Sequence, residues 1–212
     1  MILLDYSQIA LANIIIGKMQ DEDLIRHMIL NSIRMYNRRF RDEFGQMVIC
    51  ADGRQSWRYE YYPYYKANRK VKYKKDTSGL DWNEIFRILN MVRDEIKENL
   101  PYKVLHMDNC EADDMIGALV HNTQEFGQHE PVMIISSDKD FIQLQKFNNV
   151  KQFSPIQKKF LPAKKEKKFN PRTFLFEHIC RGDPGDGIPN ILSVDSCLVD
   201  KELRQSPLRQ SV

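Results

Sequence analysis

The sequence predicts an α/β fold in which a mainly parallel sheet is covered by helices on both faces. One observation is a set of short apolar runs, typical of strands buried in a parallel sheet, at residues 1–4, 47–51, 104–107 and 132–135. Another is that amphipathic helical patterns separate these runs. Because strands that alternate with helices usually pair in parallel through right-handed connections, the two observations together favour a single sheet.

The two clearest helical patterns flank the second apolar run. In the first, apolar side chains recur on one stripe between Leu24 and Phe44. The second extends from Trp82 to Ile96, and Pro101 follows it at a distance typical of a helix stop. The third apolar run begins almost at once, so we expect a short connection from helix to strand.

Length and composition bound the class of protein. The 212 residues can bury a substantial core as one domain, and 32 basic against 29 acidic residues give a net charge of +3, too small to identify a partner. The chain lacks an apolar run of the roughly 18 residues that span a membrane, and Asp5 comes too early for a secretory signal. Four distant cysteines and five scattered histidines indicate neither a disulfide frame nor a ligand set. We therefore expect a cytoplasmic protein without membrane contact.

Residues 54–80 break the alternation with a basic, aromatic insert. Eight Lys and Arg side chains oppose two acids there, and seven aromatic side chains lie among them. A solvated loop is the simplest interpretation of a charge run. However, rings that stack on unpaired bases beside cations that hold phosphates are typical of a single-strand binding channel. A second basic run at residues 158–168 is also expected to be exposed, and nucleic-acid binding by either run should weaken with salt.

Carboxylates follow the predicted strands. Asp5 and Asp52 each end an apolar run, and taken singly each is explained as well by a helix cap or an Asp-Gly turn. Because the loops after parallel strands gather at one edge of a sheet, both side chains would enter one crevice. Gathered like charges resist joint ionisation, so the arrangement favours a bound divalent metal. Hard oxygen ligands prefer magnesium or manganese to zinc.

Further acids occupy the starts of two predicted helices. Glu111, Asp113 and Asp114 fall in a first turn, where the helix dipole already favours acids, but three acids in four residues exceed what capping needs. Asp113 and Asp114 point about 100° apart, so Glu111 and Asp113 are the preferred metal ligands and Asp114 a supporting residue. Asp138 and Asp140 follow the fourth run at a spacing that lets both enter one site. A capped helix start is the simpler alternative for this pair.

Five short motifs occur together in a recognisable order: Leu4-Asp5, Cys50-Ala51-Asp52, Glu-Ala-Asp-Asp at 111–114, Ser-Ser-Asp-Lys-Asp-Phe at 136–141 and Gly-Asp-Pro-Gly-Asp at 182–186. In order and spacing they resemble the flap endonuclease and 5′ to 3′ exonuclease family, which has a PIN-like fold. Within it, residues 5–11 and 149–155 are most similar to the ribonucleases H of T-even bacteriophages. The resemblance covers residues 1 to about 192.

The resemblance implies a nuclease that removes RNA primers and 5′ flaps during phage-type DNA replication, with water activated by two magnesium ions that manganese can replace. It places around one ion Asp5, Asp52, Glu111, Asp113 and Asp138, and toward the other Asp140, Asp183 and Asp186. The family's helical arch would supply Lys66 and Arg69 as catalytic cations at the scissile phosphate. Nucleic-acid contacts are expected from Arg54, Arg58, Tyr65, Lys66, Arg69, Lys70 and Lys72, with Tyr65 able to stack on a base.

The expected substrates are DNA and RNA–DNA hybrids with 5′ ends or flaps, and a single-strand binding protein or a sliding clamp is a candidate partner. The resemblance assigns residues 1–192 to a nuclease domain with its arch insert at about 54–80. The family continues beyond this point into a helix-three-turn-helix that grips duplex DNA. Residues 193–212 do not match that region, so we expect a truncated C-terminal helical region and a disordered tail.

Other functions remain open. A truncated chain could be a non-enzymatic DNA-junction binding fragment, and a PIN-class ribonuclease shares the acidic edge. A phosphatase of the Asp-nucleophile class needs a second Asp two residues after the first, which the sequence Asp5-Tyr6-Ser7 lacks. The basic, aromatic insert would also have no role in such a phosphatase.

Overall fold

The computed structural model describes residues 1–17, 21–67, 69, 79–127, 129–162 and 169–191. Lys70, Lys72, most of the second basic run and residues 193–212 lie outside these ranges. The predictions made for them from the sequence therefore stay predictions.

Strands and helices alternate along the chain. The first half contains β1 (Ile2–Asp5), α1 (Tyr6–Gly17), α2 (Glu22–Phe44), β2 (Met47–Ala51), the short α3 (Arg58–Tyr61), α4 (Trp82–Asn99) and β3 (Lys103–His106). The second half contains α5 (Ala112–His121), a π-helical turn (Asn122–Phe126), β4 (Val132–Ile135), a 3-10 helix (Lys139–Lys146), β5 (Val150–Ser154), β6 (Lys159–Leu161) and α6 (Pro171–Arg181). The four predicted strands and the two predicted helices are all present.

The strands form one six-stranded sheet in the order β3-β2-β1-β4-β5-β6. Every pair is parallel except β5 with β6, which confirms a mainly parallel sheet. The last two strands were not predicted, because polar side chains interrupt their apolar pattern. Gln152 is fully buried in the middle of β5, where its amide donates to the carbonyl oxygens of Ser136 and Asp138 at 3.0 and 2.6 Å.

Helices cover both faces of the sheet, as predicted. On one face α1, α2 and α4 pack against the side chains of Leu4 and Ile49. On the other, α5 and the 3-10 helix pack against Leu3 and Ile134. Because successive strand residues point to opposite faces, neighbours such as Leu3 and Leu4 belong to different cores. Both faces are therefore dry, which explains why the central strands are uniformly apolar.

The two amphipathic helices begin at capping aspartates. The Asp21 side chain accepts a hydrogen bond from the Leu24 N–H at 2.8 Å and so starts α2. Asp81 does the same for α4 through the N–H groups of Asn83 and Glu84. These caps set the residue at which each helix begins, and the apolar stripe of each helix faces the sheet.

The strand order reverses direction between β1 and β4. The chain moves from β1 outward to β2 and β3, then returns to place β4 on the other side of β1. In open α/β sheets ligands bind at such a switch point, beyond the carboxyl ends of the strands. None of the described helices has the length and apolar character needed to cross a membrane. Cys50, Cys110 and Cys180 are free thiols, as predicted.

Candidate functional site

The first acids of the site lie at the ends of two adjacent parallel strands, β1 and β2. Asp5 ends β1 and is only 5% exposed; its Oδ1 accepts from the Gln8 N–H at 3.2 Å and its Oδ2 from Ser136 Oγ at 3.0 Å. Asp52 follows β2 and accepts from Ser7 Oγ at 2.7 Å and from the Ala112 N–H at 2.8 Å. Asp52 therefore connects the beginnings of α1 and α5.

Gly53 sets the position of the Asp52 loop. A Cβ at Gly53 would lie 2.0 Å from the carbonyl oxygen of Met107. The Gly53 N–H also donates to the carbonyl oxygen of Cys110 at 2.8 Å. Because only glycine permits this approach, the loop after β2 packs directly on the loop after β3, and acids from both loops share one edge.

Asp113 in the first turn of α5 joins these strand-end acids electrostatically. Burial raises the pKa of Asp113 to about 8, and the charges of Asp5, Asp138 and Asp52 add to the rise. Burial likewise raises the pKa of Asp5 to about 7, with contributions from Asp52 and Asp138. Ionisation of Asp5 and Asp113 is therefore costly beside the other two carboxylates, and binding of a divalent cation would relieve that cost.

Three side chains of the insert surround Glu111. Glu111 is 8% exposed, and its carboxylate accepts from the Tyr65 hydroxyl at 2.7 Å and from Lys66 Nζ at 2.9 Å. Arg58 lies 3.5 Å from the same carboxylate. Lys66 has a φ of 53°, a left-handed conformation that is uncommon for residues other than glycine. The insert is thus held against the acid group by cationic and phenolic contacts.

Asp114 supports the site rather than facing the other acids. It forms a bidentate ion pair with Arg58, with both distances 2.9 Å, and accepts from the Glu111 N–H in a capping box. Burial by itself would raise the pKa of Asp114. The hydrogen bonds from Arg58 and from the Glu111 amide outweigh this effect and hold the pKa below its usual range. This supporting position agrees with the interpretation drawn from the sequence.

A second group of acids lies between the 3-10 helix and α6. Asp138 caps the 3-10 helix by accepting from the Asp140 N–H at 2.9 Å. His178 Nε2 lies 3.1 Å from Asp140 Oδ1 and 3.9 Å from Asp183 Oδ2. One ligand atom from each of Asp140, His178 and Asp183 lies within 4.8 Å of the others. Burial raises the pKa of Asp140, and Asp138, Asp183 and Asp186 raise it further, so the two acid groups adjoin.

A glycine turn after α6 presents Asp183 and Asp186. Gly182 has a φ of +70°, and a Cβ there would lie 2.2 Å from the Pro189 carbonyl oxygen. Asp183 Oδ1 accepts from the Gly185 N–H at 2.7 Å. Arg69 of the insert donates to Asp186 Oδ1 at 2.6 Å. The insert therefore contacts both acid groups, through Glu111 in one and Asp186 in the other.

The acid pattern and fold agree with a known family. Residues 19–174 match the family model described as the 5′-3′ exonuclease, N-terminal resolvase-like domain. The chain belongs to this exonuclease family. It is 36% identical over 196 residues to the ribonuclease H of Enterobacteria phage T4, covering 89% of this chain and 62% of that protein. It is 30% identical over 148 residues to a 5′-3′ exonuclease of Buchnera aphidicola, covering 68% and 47%.

Solved structures of exonuclease-family proteins share the fold. Bacteriophage T5 5′-exonuclease with bound zinc superposes with a TM-score of 0.73 at 20% identity, covering 92% of this chain and 70% of that one. The T5 flap endonuclease in a pseudo-enzyme–product complex with DNA and metal ions gives 0.73 and 20%, covering 92% and 71%. The resemblance and fold class predicted from the sequence are confirmed. The chain spans less than two thirds of the length of the curated relatives named above.

His178 is the site residue that the sequence interpretation missed. The five histidines appear scattered in the sequence and suggest no ligand set, but the fold brings His178 close to Asp140 and Asp183. The residue lies on the last turn of α6, directly before the Gly182-Asp183 turn, and its ring stacks on Phe174 with centroids 5.9 Å apart. The sequence did contain a signal for His178, because this residue comes about one helical turn before the Gly182-Asp183 motif.

The insert is exposed only in part. Trp57, Tyr59, Tyr61 and Tyr64 are exposed, but Tyr65 is 4% exposed, so the expectation of an exposed insert is wrong for Tyr65. Among the predicted nucleic-acid contacts that the structure describes, Arg58 is engaged by Asp114, Lys66 by Glu111 and Arg69 by Asp186. Arg54 is exposed and lines a cleft beside Asp52.

Proposed function

We propose that the protein is a divalent-metal-dependent 5′ nuclease that hydrolyses phosphodiester bonds at 5′ ends and 5′ flaps of DNA and of RNA–DNA hybrids. The observation that carries the proposal is the convergence of carboxylates from β1, β2, α5 and the 3-10 helix at the switch point of the sheet, beside a cationic and aromatic insert. The T4 relative is a ribonuclease H, and the T5 protein is a flap endonuclease with DNA and metal ions in its structure. Those activities support the proposal for this chain.

The residues fit divalent metal because their ligand atoms are mainly carboxylate oxygens whose charges are costly to gather. We assign one magnesium ion to Asp5, Asp52, Glu111, Asp113 and Asp138, and a second to Asp140, Asp183 and Asp186, with manganese as a substitute. His178 adds an imidazole nitrogen to the second group. Bound metal would supply a hydroxide nucleophile and stabilise charge on the phosphate oxygens.

Lys66 and Arg69 are the proposed catalytic cations. In the structure they neutralise Glu111 and Asp186 at 2.9 and 2.6 Å. If metal ions neutralised those acids, the same side chains would be available to offset the charge of the scissile phosphate. The two ion pairs would then be exchanged for contacts with substrate.

Arg54, Lys70 and Lys72 would hold the phosphates of the unpaired strand, and a replication protein such as a clamp or single-strand binding protein would bring the nuclease to its substrate in the cytoplasm. Residues 1–192 would form the nuclease domain.

Cleavage of a labelled 5′-flap duplex by the purified chain tests the proposal. We expect products with 5′-phosphate and 3′-hydroxyl ends in magnesium and none in EDTA. A structured RNA without 5′ flaps should be cut much more slowly, whereas the opposite preference would favour a PIN-class ribonuclease. Tight binding of the flap duplex without cleavage in magnesium or manganese would contradict the proposal and favour a junction-binding protein.

A further inference from the structure

A cleft of about 520 Å³ adjoins the acid site. One wall is built from insert aromatics that include Trp57 and Tyr61, while Asp113, Asp140 and Asp183 line the opposite side. A phosphate entering this cleft meets carboxylates on one side only. The aromatic rings of the other wall are uncharged and can attract a nucleotide by stacking on its base.

Trp57 and Tyr61 are the most exposed rings of this wall. Their exposed fractions are 43% and 81%, compared with 4% for Tyr65, whose hydroxyl donates to Glu111. Their centroids lie 5.6 Å apart with the planes at 81°. In such an edge-on pair at least one ring keeps both faces clear of the other. The Arg58 guanidinium lies 4.9 Å from the Trp57 ring centroid and adds a cation to the wall.

The wall is fixed relative to the acids. The Trp57 N–H donates to the Asn109 carbonyl oxygen at 2.9 Å, just before α5. Arg58 is held by both oxygens of Asp114, the neighbour of Asp113. On the other side the Tyr62 hydroxyl donates to the Gly187 carbonyl oxygen at 3.1 Å. The segment that carries the two rings is therefore fixed relative to both acid groups, as a positioning surface requires.

We propose that Trp57 and Tyr61 form a stacking subsite for an unpaired nucleobase next to the phosphate that is cut. The subsite rests on the proposed nuclease function and gives it a positioning device. Every base has a π-face, so the subsite accepts any base but requires one that is unstacked from a duplex. It therefore selects single-stranded nucleotides beside the acid site and disfavours fully paired ends.

Fluorescence of Trp57 tests the subsite directly. Trp57 and Trp82 are the two tryptophans, so a Trp82→Phe variant leaves Trp57 as the reporter. We expect a short single-stranded oligodeoxythymidylate to quench this variant in EDTA and in calcium, and a blunt duplex of the same length to quench it far less. In the reverse variant, Trp57→Phe, Trp82 should not respond.

Affinity for the same oligonucleotide provides the second measurement. Tyr61→Ala and Trp57→Ala should each weaken binding by about 5- to 150-fold, the range measured for loss of one base–aromatic stack. Trp57→Phe should retain most of the affinity because a ring remains. Phe126→Ala is the matched control, since Phe126 is 83% exposed and lies at the far end of α5.

Tyr61→Ala removes an exposed side chain and should fold normally, so its result is decisive even if Trp57→Ala unfolds. Unchanged affinity in Tyr61→Ala together with unquenched Trp57 would overturn the subsite, even if the wild-type chain cuts flaps in magnesium. Quenching and weakened binding without any flap cleavage would leave the subsite standing and overturn the nuclease function instead.

Discussion

At the scale of single residues, several acids of the sheet edge serve the fold and the proposed metal site together. Asp5 accepts from the Gln8 N–H, Asp52 from the Ala112 N–H and Asp138 from the Asp140 N–H. The sequence presented capping and metal binding as alternatives for these residues. A carboxylate has about four lone-pair directions, so one backbone bond leaves capacity for a cation. The caps orient the acids, and the alternatives are compatible.

The raised pKa values of Asp5 and Asp113, about 7 and about 8, predict how stability depends on pH without metal. In the folded state these carboxyls keep protons that the unfolded chain releases near pH 4, so stability falls as pH rises through both folded values. The melting temperature in EDTA should therefore be lower at about pH 8 than at about pH 6.

Asp113→Asn should flatten this dependence and stabilise the protein in EDTA at about pH 8 by roughly 1 to 3 kcal/mol. The comparison requires thermal or urea unfolding of both proteins at the two pH values. An identical pH profile in the variant would contradict the electrostatic account of the acid group.

His178 should contribute to metal binding at the second acid group. Because an imidazole nitrogen lies within ligand range of Asp140 and Asp183, His178→Ala should weaken manganese binding by about 10- to 100-fold. Calorimetric titration measures the loss. The control is His121→Ala, since His121 pairs with Glu125 away from the acids. Equal manganese affinity in wild type and His178→Ala would show that the imidazole takes no part.

At the scale of elements, the Arg58–Asp114 pair fastens α3 to α5. Both side chains are partly buried, and removing one leaves the other without its partner. Arg58→Ala and Asp114→Ala should each destabilise the protein, and the double variant should cost about 1 to 2 kcal/mol less than the sum. Urea denaturation in EDTA supplies the four free energies of unfolding.

The exposed pair of Arg87 and Glu84 is a suitable control. Its coupling energy should be much smaller than that of Arg58 with Asp114, because solvent screens exposed ion pairs. Additive effects at Arg58 and Asp114 would mean that α3 is not held through this contact.

The elements also show where prediction from sequence works. The stripe of α2 and the apolar runs of β1 and β4 are local patterns, and they were recognised. Strand β5 was not, because Lys151 and Gln152 interrupt it and Gln152 becomes acceptable only once Ser136 and Asp138 offer carbonyl oxygens. The pairing of β6 with β5 depends likewise on a tertiary contact, in which Phe160 packs on Phe153 and Phe40.

At the scale of the whole molecule, the parallel topology explains why the acid positions could be predicted and their partners could not. Strand ends in one sheet meet at one edge, so acids at Asp5, Asp52 and Asp138 had to converge. The choice of Lys66 for Glu111 and of Arg69 for Asp186 depends on how the insert folds back. That path has no local signature in the sequence.

The cationic insert predicts salt-dependent binding of nucleic acid. If Arg69 exchanges Asp186 for a phosphate, Arg69→Ala should reduce the slope of log affinity against log salt by about 0.7 for a single strand. Fluorescence anisotropy of a labelled 5′-flap substrate in calcium, at several salt concentrations, gives the slope. Lys151→Ala is the control, because Lys151 lies on β5 and pairs with Glu43 of α2. Equal slopes for wild type and Arg69→Ala would exclude a phosphate contact by Arg69.

We propose that the gathered carboxylates hold the metal that cuts a phosphodiester bond. The decisive measurement is cleavage of a 5′-flap duplex in magnesium by the double variant Asp113→Asn and Asp138→Asn. Asparagine preserves the size of both side chains and the cap at residue 138. We predict that cleavage is abolished while binding of the flap duplex, measured by anisotropy in the same buffer, is retained. Cleavage by the double variant at the wild-type rate would contradict the account.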